Sequence, residues 1–210
     1  MRYKVDRSIL ERFIIASVAY GRRVTEMTNT RNRIFISRED SILVVIDMQE
    51  RLVPAISEQA KIIASTNRLL AMADILRLPV VVTEQEKLGE TILQIRDRVQ
   101  GFEPIRKICF NCFFCEPFSE RIRETGRKTL ILAGIEAHIC VTQTALWACQ
   151  DFRVQVVGDA ISSRSPENVI TATERMRTAG VTITSSEMVI YELLEKAGTA
   201  EFKAMLPHIK

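Results

Sequence analysis

Residues 41–47 read SILVVID, and this stretch decides the fold. A strand with one wet face alternates apolar and polar residues. Here Ile42, Leu43, Val44, Val45 and Ile46 are apolar on both parities, so both faces must be buried, as in a parallel sheet covered by helices. The run closes on a carboxylate, Asp47. Downstream, residues 57–78 carry Ser57 as a candidate N-cap and Ile62, Ile63, Leu69, Leu70, Ala73 and Leu76 at helical spacing. Pro79 then opens a second strand, PVVVTE, and completes a βαβ unit whose crossover is right-handed. The pattern recurs. KTLILAGIE (128–136) leads into a helix from about His138 to Asp151, RVQVVGDA (153–160) leads into one from about Pro166 to Ala179, and VTITSS closes the series. SSEMVIYELLEKA and AEFKAMLPHI read as C-terminal helices. The expected fold is a three-layer α/β/α, Rossmann-like domain around a mostly parallel six-stranded sheet.

The 210 residues suffice for one domain, and no linker-like stretch divides them. Residues 27–210 are assigned to that domain. Residues 1–26 are basic and precede Met27, a plausible start, so they are read as an N-terminal extension. With 47% hydrophobic residues, 26% charged residues and a net charge of +3, the balance is not that of a nucleic-acid binder. No apolar run reaches the roughly 20 residues of a membrane span; ILERFIIASVAYG is broken by Glu11 and Arg12. Five cysteines, an odd number, and no secretory signal point to a reducing, cytoplasmic setting.

KICFNCFFCEPF (107–118) places Cys109, Cys112 and Cys115 at a spacing that resembles part of an iron–sulfur run. The fourth ligand of such a run would fall at Phe118, and the interleaved Phe110, Phe113 and Phe114 suit packing. The chain has two histidines, His138 and His208, seventy positions apart. No metal and no cofactor is therefore expected.

In open α/β sheets, ligands collect beyond the carboxyl ends of the strands. That rule selects Asp47, then Thr83, Glu84 and Gln85, then Gly134 to Cys140, then Asp159 to Arg164. Cys140 stands at the start of a predicted helix, where unpaired N–H groups favour a thiolate and a developing oxyanion. The same residue also reads as a small buried hydrophobe, and Asp47 as a loop cap.

SILVVIDMQERLVP, the K-x-x-F-N of Lys107 to Asn111, LAGIEAHICVTQTALWA and GDAISSRS together resemble the isochorismatase-like cysteine hydrolases, from about residue 34 to the C-terminus. The resemblance implies an Asp-Lys-Cys triad of Asp47, Lys107 and Cys140. It also implies a cis peptide between Ile135 and Glu136, with the backbone N–H groups of Glu136 and Cys140 as the oxyanion hole. In this scheme the Lys107 ammonium stabilises the Cys140 thiolate, while Asp47 takes the thiol proton and later activates water. Some nicotinamidase-like relatives carry an Asp and His metal cluster after the aspartate, but MQERLVPAISEQ holds no histidine.

The implied reaction is hydrolysis of a carbon–nitrogen bond in a small molecule through a thioester. Substrate-pocket candidates are Gln49, Leu52, Glu84, Gln85 and Arg164, which follow strand ends or triad members; His138 is a further candidate. The alternative is a non-catalytic oligomeric scaffold that retains the fold. A nuclease reading finds no Gly-rich phosphate loop and little net charge to support it. Relatives commonly assemble, and ALWACQDF (145–152), with Trp147 and Cys149, could serve a homo-oligomeric interface.

Overall fold

The structure, a computed structural model, describes residues 35–209; the expected extension, residues 1–26, lies outside the described residues. All elements below fall in the compact unit Ser37–Lys210. The strands are β1 (Ser41–Ile46), β2 (Val80–Gln85), β3 (Ile105–Lys107), β4 (Thr129–Ile135), β5 (Arg153–Ser162) and β6 (Thr182–Thr184). The helices are α1 (Gln59–Leu76), α2 (Leu93–Arg96), α3 (Glu116–Glu124), α4 (Thr142–Ala148), α5 (Pro166–Thr178), α6 (Ser186–Leu194) and α7 (Ala200–Ile209).

The six strands form one sheet in the order β3-β2-β1-β4-β5-β6, and every pairing is parallel. β1 is buried at every position, as its two-sided apolar run requires. On one face Ile42, Val44, Ile46, Leu130 and Leu132 pack with Phe118 and Ile122 of α3, Ala145 and Ala148 of α4, and Ala172 and Met176 of α5. On the other, α1 lies over β5 and β1 and packs against α6 and α7. α1 buries Ile62, Leu69, Leu70, Ala73 and Leu76 of the expected stripe, whereas Ile63 is half-buried.

Two local expectations are corrected. Ser57 does not cap α1: the cap position is Glu58, in a left-handed conformation, with no side-chain hydrogen bond to the helix. The Ser57 hydroxyl is instead drawn to the end of β5, lying 3.0 Å from Ser162 Oγ and donating to Ser163 O at 2.8 Å. The helix expected from His138 begins as a π turn, Ala137–Val141, and becomes α-helical only at Thr142. Such wide turns inside helices are frequent at functional sites.

The strand order reverses between β1 and β4, the kind of switch point at whose carboxyl edge open α/β sheets bind ligands. Asp47 follows β1 and Cys140 follows β4, so the topology brings them to that edge from 93 positions apart in sequence.

Candidate active site

Asp47 leaves β1 with φ +52, a left-handed conformation that turns its side chain out of the strand path. Ile46, just before it, pairs with Thr83 on β2 and Gly134 on β4. Thr83 Oγ1 donates to Asp47 Oδ1 at 2.7 Å, and Lys107 Nζ donates to Oδ2 at 2.8 Å. Lys107 ends β3 in register with Gln85. Its ammonium also donates to Gln85 Oε1 at 2.8 Å and lies 3.7 Å from Cys140 Sγ. Its three donors thus meet a carboxylate, an amide oxygen and a sulfur. Gln85 is itself oriented by donation from Nε2 to Ile108 O at 2.8 Å.

The side chains of Asp47 and Lys107 are fully buried, and Cys140 is 6% exposed. Cys140 sits in the π turn that follows a cis Ile135–Glu136 peptide, the bond implied by the resemblance. The Glu136 carbonyl accepts from Ile139 and Val141 N–H.

Burial dominates the electrostatics. It pushes the Cys140 thiol far above its ordinary value, the charge and hydrogen bond of Asp47 push the same way, and Lys107 opposes them without prevailing. The balance holds Cys140 toward the thiol form rather than the thiolate that its helix-start position favours. Burial by itself would lower the Lys107 value, but Asp47 and the neighbouring cysteines raise it, so the cation persists. Cys112, which is also buried, is pushed up to about 12 by desolvation, again opposed by Lys107.

The pocket candidates separate by strand parity. Thr83 and Gln85 face the triad, so Glu84 between them faces away. Its Oε1 accepts from Thr91 N and Oγ1, both at 2.8 Å, and Arg106 lies 3.6 Å from Oε2. The Glu84 carboxylate thus anchors the Thr91 loop. Gln49 is likewise engaged. It is fully buried, with Nε2 donating to Gln85 O and Gly89 O and Oε1 accepting from Gln85 N. Gln85 reaches the site through Lys107. Leu52 is half-buried and Arg164 is largely exposed, so both retain surface for a ligand.

Arg164 joins a polar cluster that strand-end reasoning did not assemble. Its Nε donates to both Glu136 oxygens at 3.1 and 3.2 Å, and its backbone N–H donates to Oε2 at 3.0 Å. His138 Nδ1 is 2.9 Å from Ser163 Oγ and 4.0 Å from Glu136 Oε2. The Glu136 carboxylate thereby ties the oxyanion-loop candidate to the end of β5, a role for which its position in LAGIEAHIC carries no signal.

The three clustered thiols diverge. Cys109 Sγ donates to Phe114 O and Cys115 Sγ to Arg106 O, each at 3.6 Å, while Cys112 is buried in the core beside the triad. Among the described residues no group of three histidine, cysteine or acidic side chains is placed to hold a metal ion.

The isochorismatase domain model matches residues 41–188. The chain is 36% identical over 179 residues to a secreted isochorismatase effector, Isc1, of Phytophthora sojae, covering 81% of this chain and 84% of that protein. It is 35% identical over 178 residues to isochorismatase domain-containing protein 2A of Mus musculus, covering 82% and 84%. The structure of the MAR1 ribonuclease of Caenorhabditis elegans superposes with a TM-score of 0.77 at 35% identity, covering 83% of this chain and 92% of that one. Matched along most of its length in sequence and in fold, the chain belongs to the isochorismatase family of hydrolases.

Proposed function

We propose that the protein is a cysteine hydrolase that cleaves a carbon–nitrogen bond of a small amide. The observation that carries this reading is the placement of Lys107 Nζ between Asp47 Oδ2 and Cys140 Sγ at 2.8 and 3.7 Å, out of water. As Cys140 Sγ attacks the carbonyl carbon, its proton passes to Asp47, and Lys107 balances the charge that builds on sulfur. The carbonyl oxygen becomes an oxyanion, held by the N–H groups of Glu136 and Cys140. The oxyanion collapses, the C–N bond breaks, and the leaving amine takes the proton from Asp47. Water, deprotonated by Asp47, then attacks the thioester; the acid leaves and Cys140 regains its proton. Leu52 and Arg164 are the candidates that a substrate can touch, and Gln49, Gln85 and Thr83 hold the machinery behind them.

The test is ammonia release from a panel of small primary amides by wild type and Cys140→Ala. Turnover that vanishes in the variant supports the reading. Turnover that persists in the variant rejects the nucleophile, and release from no amide rejects the substrate class.

The likeness to the C. elegans protein, a ribonuclease by name, favours a second reading. The amide reading is preferred because the reacting groups lie beneath the surface, where a small molecule reaches more readily than a polynucleotide. Cleavage of RNA lost in Cys140→Ala would reverse that preference.

Two further expectations belong with this proposal. Ile108, Phe110, Phe114 and Trp147 are exposed on neighbouring elements, as an interface of a homo-oligomer would require, and light scattering tests it. The five free cysteines fit a reducing, cytoplasmic setting, although the Phytophthora relative is secreted. No helix among the described residues is long and apolar enough to cross a membrane.

A further inference from the structure

A cavity of about 650 Å³ opens at the amino edge of the sheet, where β2 begins and β4 is about to begin. β2 spans six residues, so at ~3.3 Å per residue this cavity lies roughly 17 Å from the triad edge. Buried Leu70 and Leu78 belong to its lining and give it an apolar surface. Arg77, Arg98 and Arg127 line it as well. Arg127 is partly engaged, donating from Nη1 to the Arg38 and Ser41 carbonyls. Arg77 and Arg98 have no side-chain partner among the described residues. The one carboxylate in the lining, Asp74, already accepts from Gln100 Nε2 at 2.5 Å.

We propose that this cavity is a second ligand site, separate from the triad, for a small organic anion with an apolar body and one anionic head. The volume is that of a small-molecule site. Three guanidinium groups against one engaged carboxylate favour an anion. Their planar donor pairs match a carboxylate, sulfonate or phosphate. The apolar lining gives the remainder of the ligand a surface to cover, which a bare inorganic anion would leave wet. Occupancy at the amino edge does not cover the carboxyl edge that carries the triad, so the two sites are separate in space.

The test is calorimetric titration of the full chain with naphthalene-2-sulfonate, using 2-naphthalenemethanol as the neutral control. The sulfonate cannot be a product of amide hydrolysis. Saturable one-to-one binding is expected for the sulfonate and not for the alcohol. Affinity should fall about tenfold in Arg98→Ala and in Arg77→Asn, for the loss of a charged hydrogen bond, and remain unchanged in Cys140→Ala. Circular dichroism of the variants guards against a folding defect, and Arg98→Lys should recover part of the loss. The proposal is overturned if the alcohol binds equally, if neither arginine variant weakens binding, or if Cys140→Ala abolishes it. Because no readout depends on turnover, failure here is distinguishable from failure of the amide-hydrolase reading.

Discussion

Gly134 and Ile46 approach so closely that a Cβ on Gly134 would lie 2.0 Å from the Ile46 carbonyl oxygen. Gly134 has φ +119, and the β4–β5 register shifts at this point. One residue after Ile46 comes Asp47, and six after Gly134 comes Cys140, so the absent side chain lets the two strand ends bring carboxylate and thiol together. Gly134→Ala should cost about 3 kcal/mol or more, since it combines overpacking with a backbone region that L side chains avoid. A urea midpoint unchanged from wild type would contradict the close approach.

The electrostatics of Cys140 give opposite expectations for its two charged neighbours. Asp47→Asn removes a charge that pushes the thiol up, so alkylation by iodoacetamide should begin at lower pH than in wild type. Lys107→Ala removes the opposing charge and should move the profile to higher pH. Wild-type Cys140 should alkylate slowly near neutral pH. Peptide mass spectrometry of each cysteine across a pH series measures all three, and shifts of the same sign in both variants would refute the balance described.

Thr83 orients Asp47, the proposed base, through one hydroxyl at 2.7 Å from Oδ1. Thr83→Val keeps the shape and removes the donor. A hydrogen bond to a charged group is worth about 1.5 to 3 kcal/mol, so kcat/KM should fall on the order of tenfold or more. The pH profile of kcat/KM should also move, a change that a purely structural role for Thr83 would not produce.

On the far face, Asp159 joins three elements. Its carboxylate accepts from Ser65 Oγ on α1 and from Ser186 N and Oγ at the start of α6. Burial raises its pKa, but these bonds prevail and hold it below the ordinary carboxylate range. Because the folded value is depressed, the stabilisation is present above the unfolded value, near 3.9, and is lost as pH falls through the folded one. Asp159→Ala should destabilise the protein by about 1 to 3 kcal/mol at neutral pH and show a smaller difference from wild type in acid. A difference that grows as pH falls would contradict this assignment.

The sheet was legible because period and polarity carry it. SILVVID, PVVVTE and KTLILAGIE each state a buried parallel strand without help from neighbours. Ile105–Lys107 is only three residues long and carries no such pattern, so β3 emerged from tertiary pairing with β2. Asp47 and Cys140 were legible as strand-end residues, whereas Lys107 stood out only through the family motif. Glu84 and Gln49 stand near strand ends in sequence, but nearness in sequence does not state which face a side chain takes; parity and the Thr91 and Gly89 loop decide that. The upward push on the Cys140 thiol was hidden as well, since helix-start position is local information and desolvation is a property of the packed core.

The proposed role of Cys140 is that of an acyl-accepting nucleophile whose side chain lies buried. It is tested most directly by brief reaction with 4-nitrophenyl acetate followed by peptide mass spectrometry. The activated ester offers a carbonyl to the proposed oxyanion hole, which iodoacetamide alkylation does not use. The expected result is an acetyl thioester on Cys140 ahead of the more accessible Cys109, Cys115 and Cys149, together with loss of the early nitrophenol burst in Cys140→Ala. Acetylation that follows exposure alone and leaves Cys140 unmodified would contradict it.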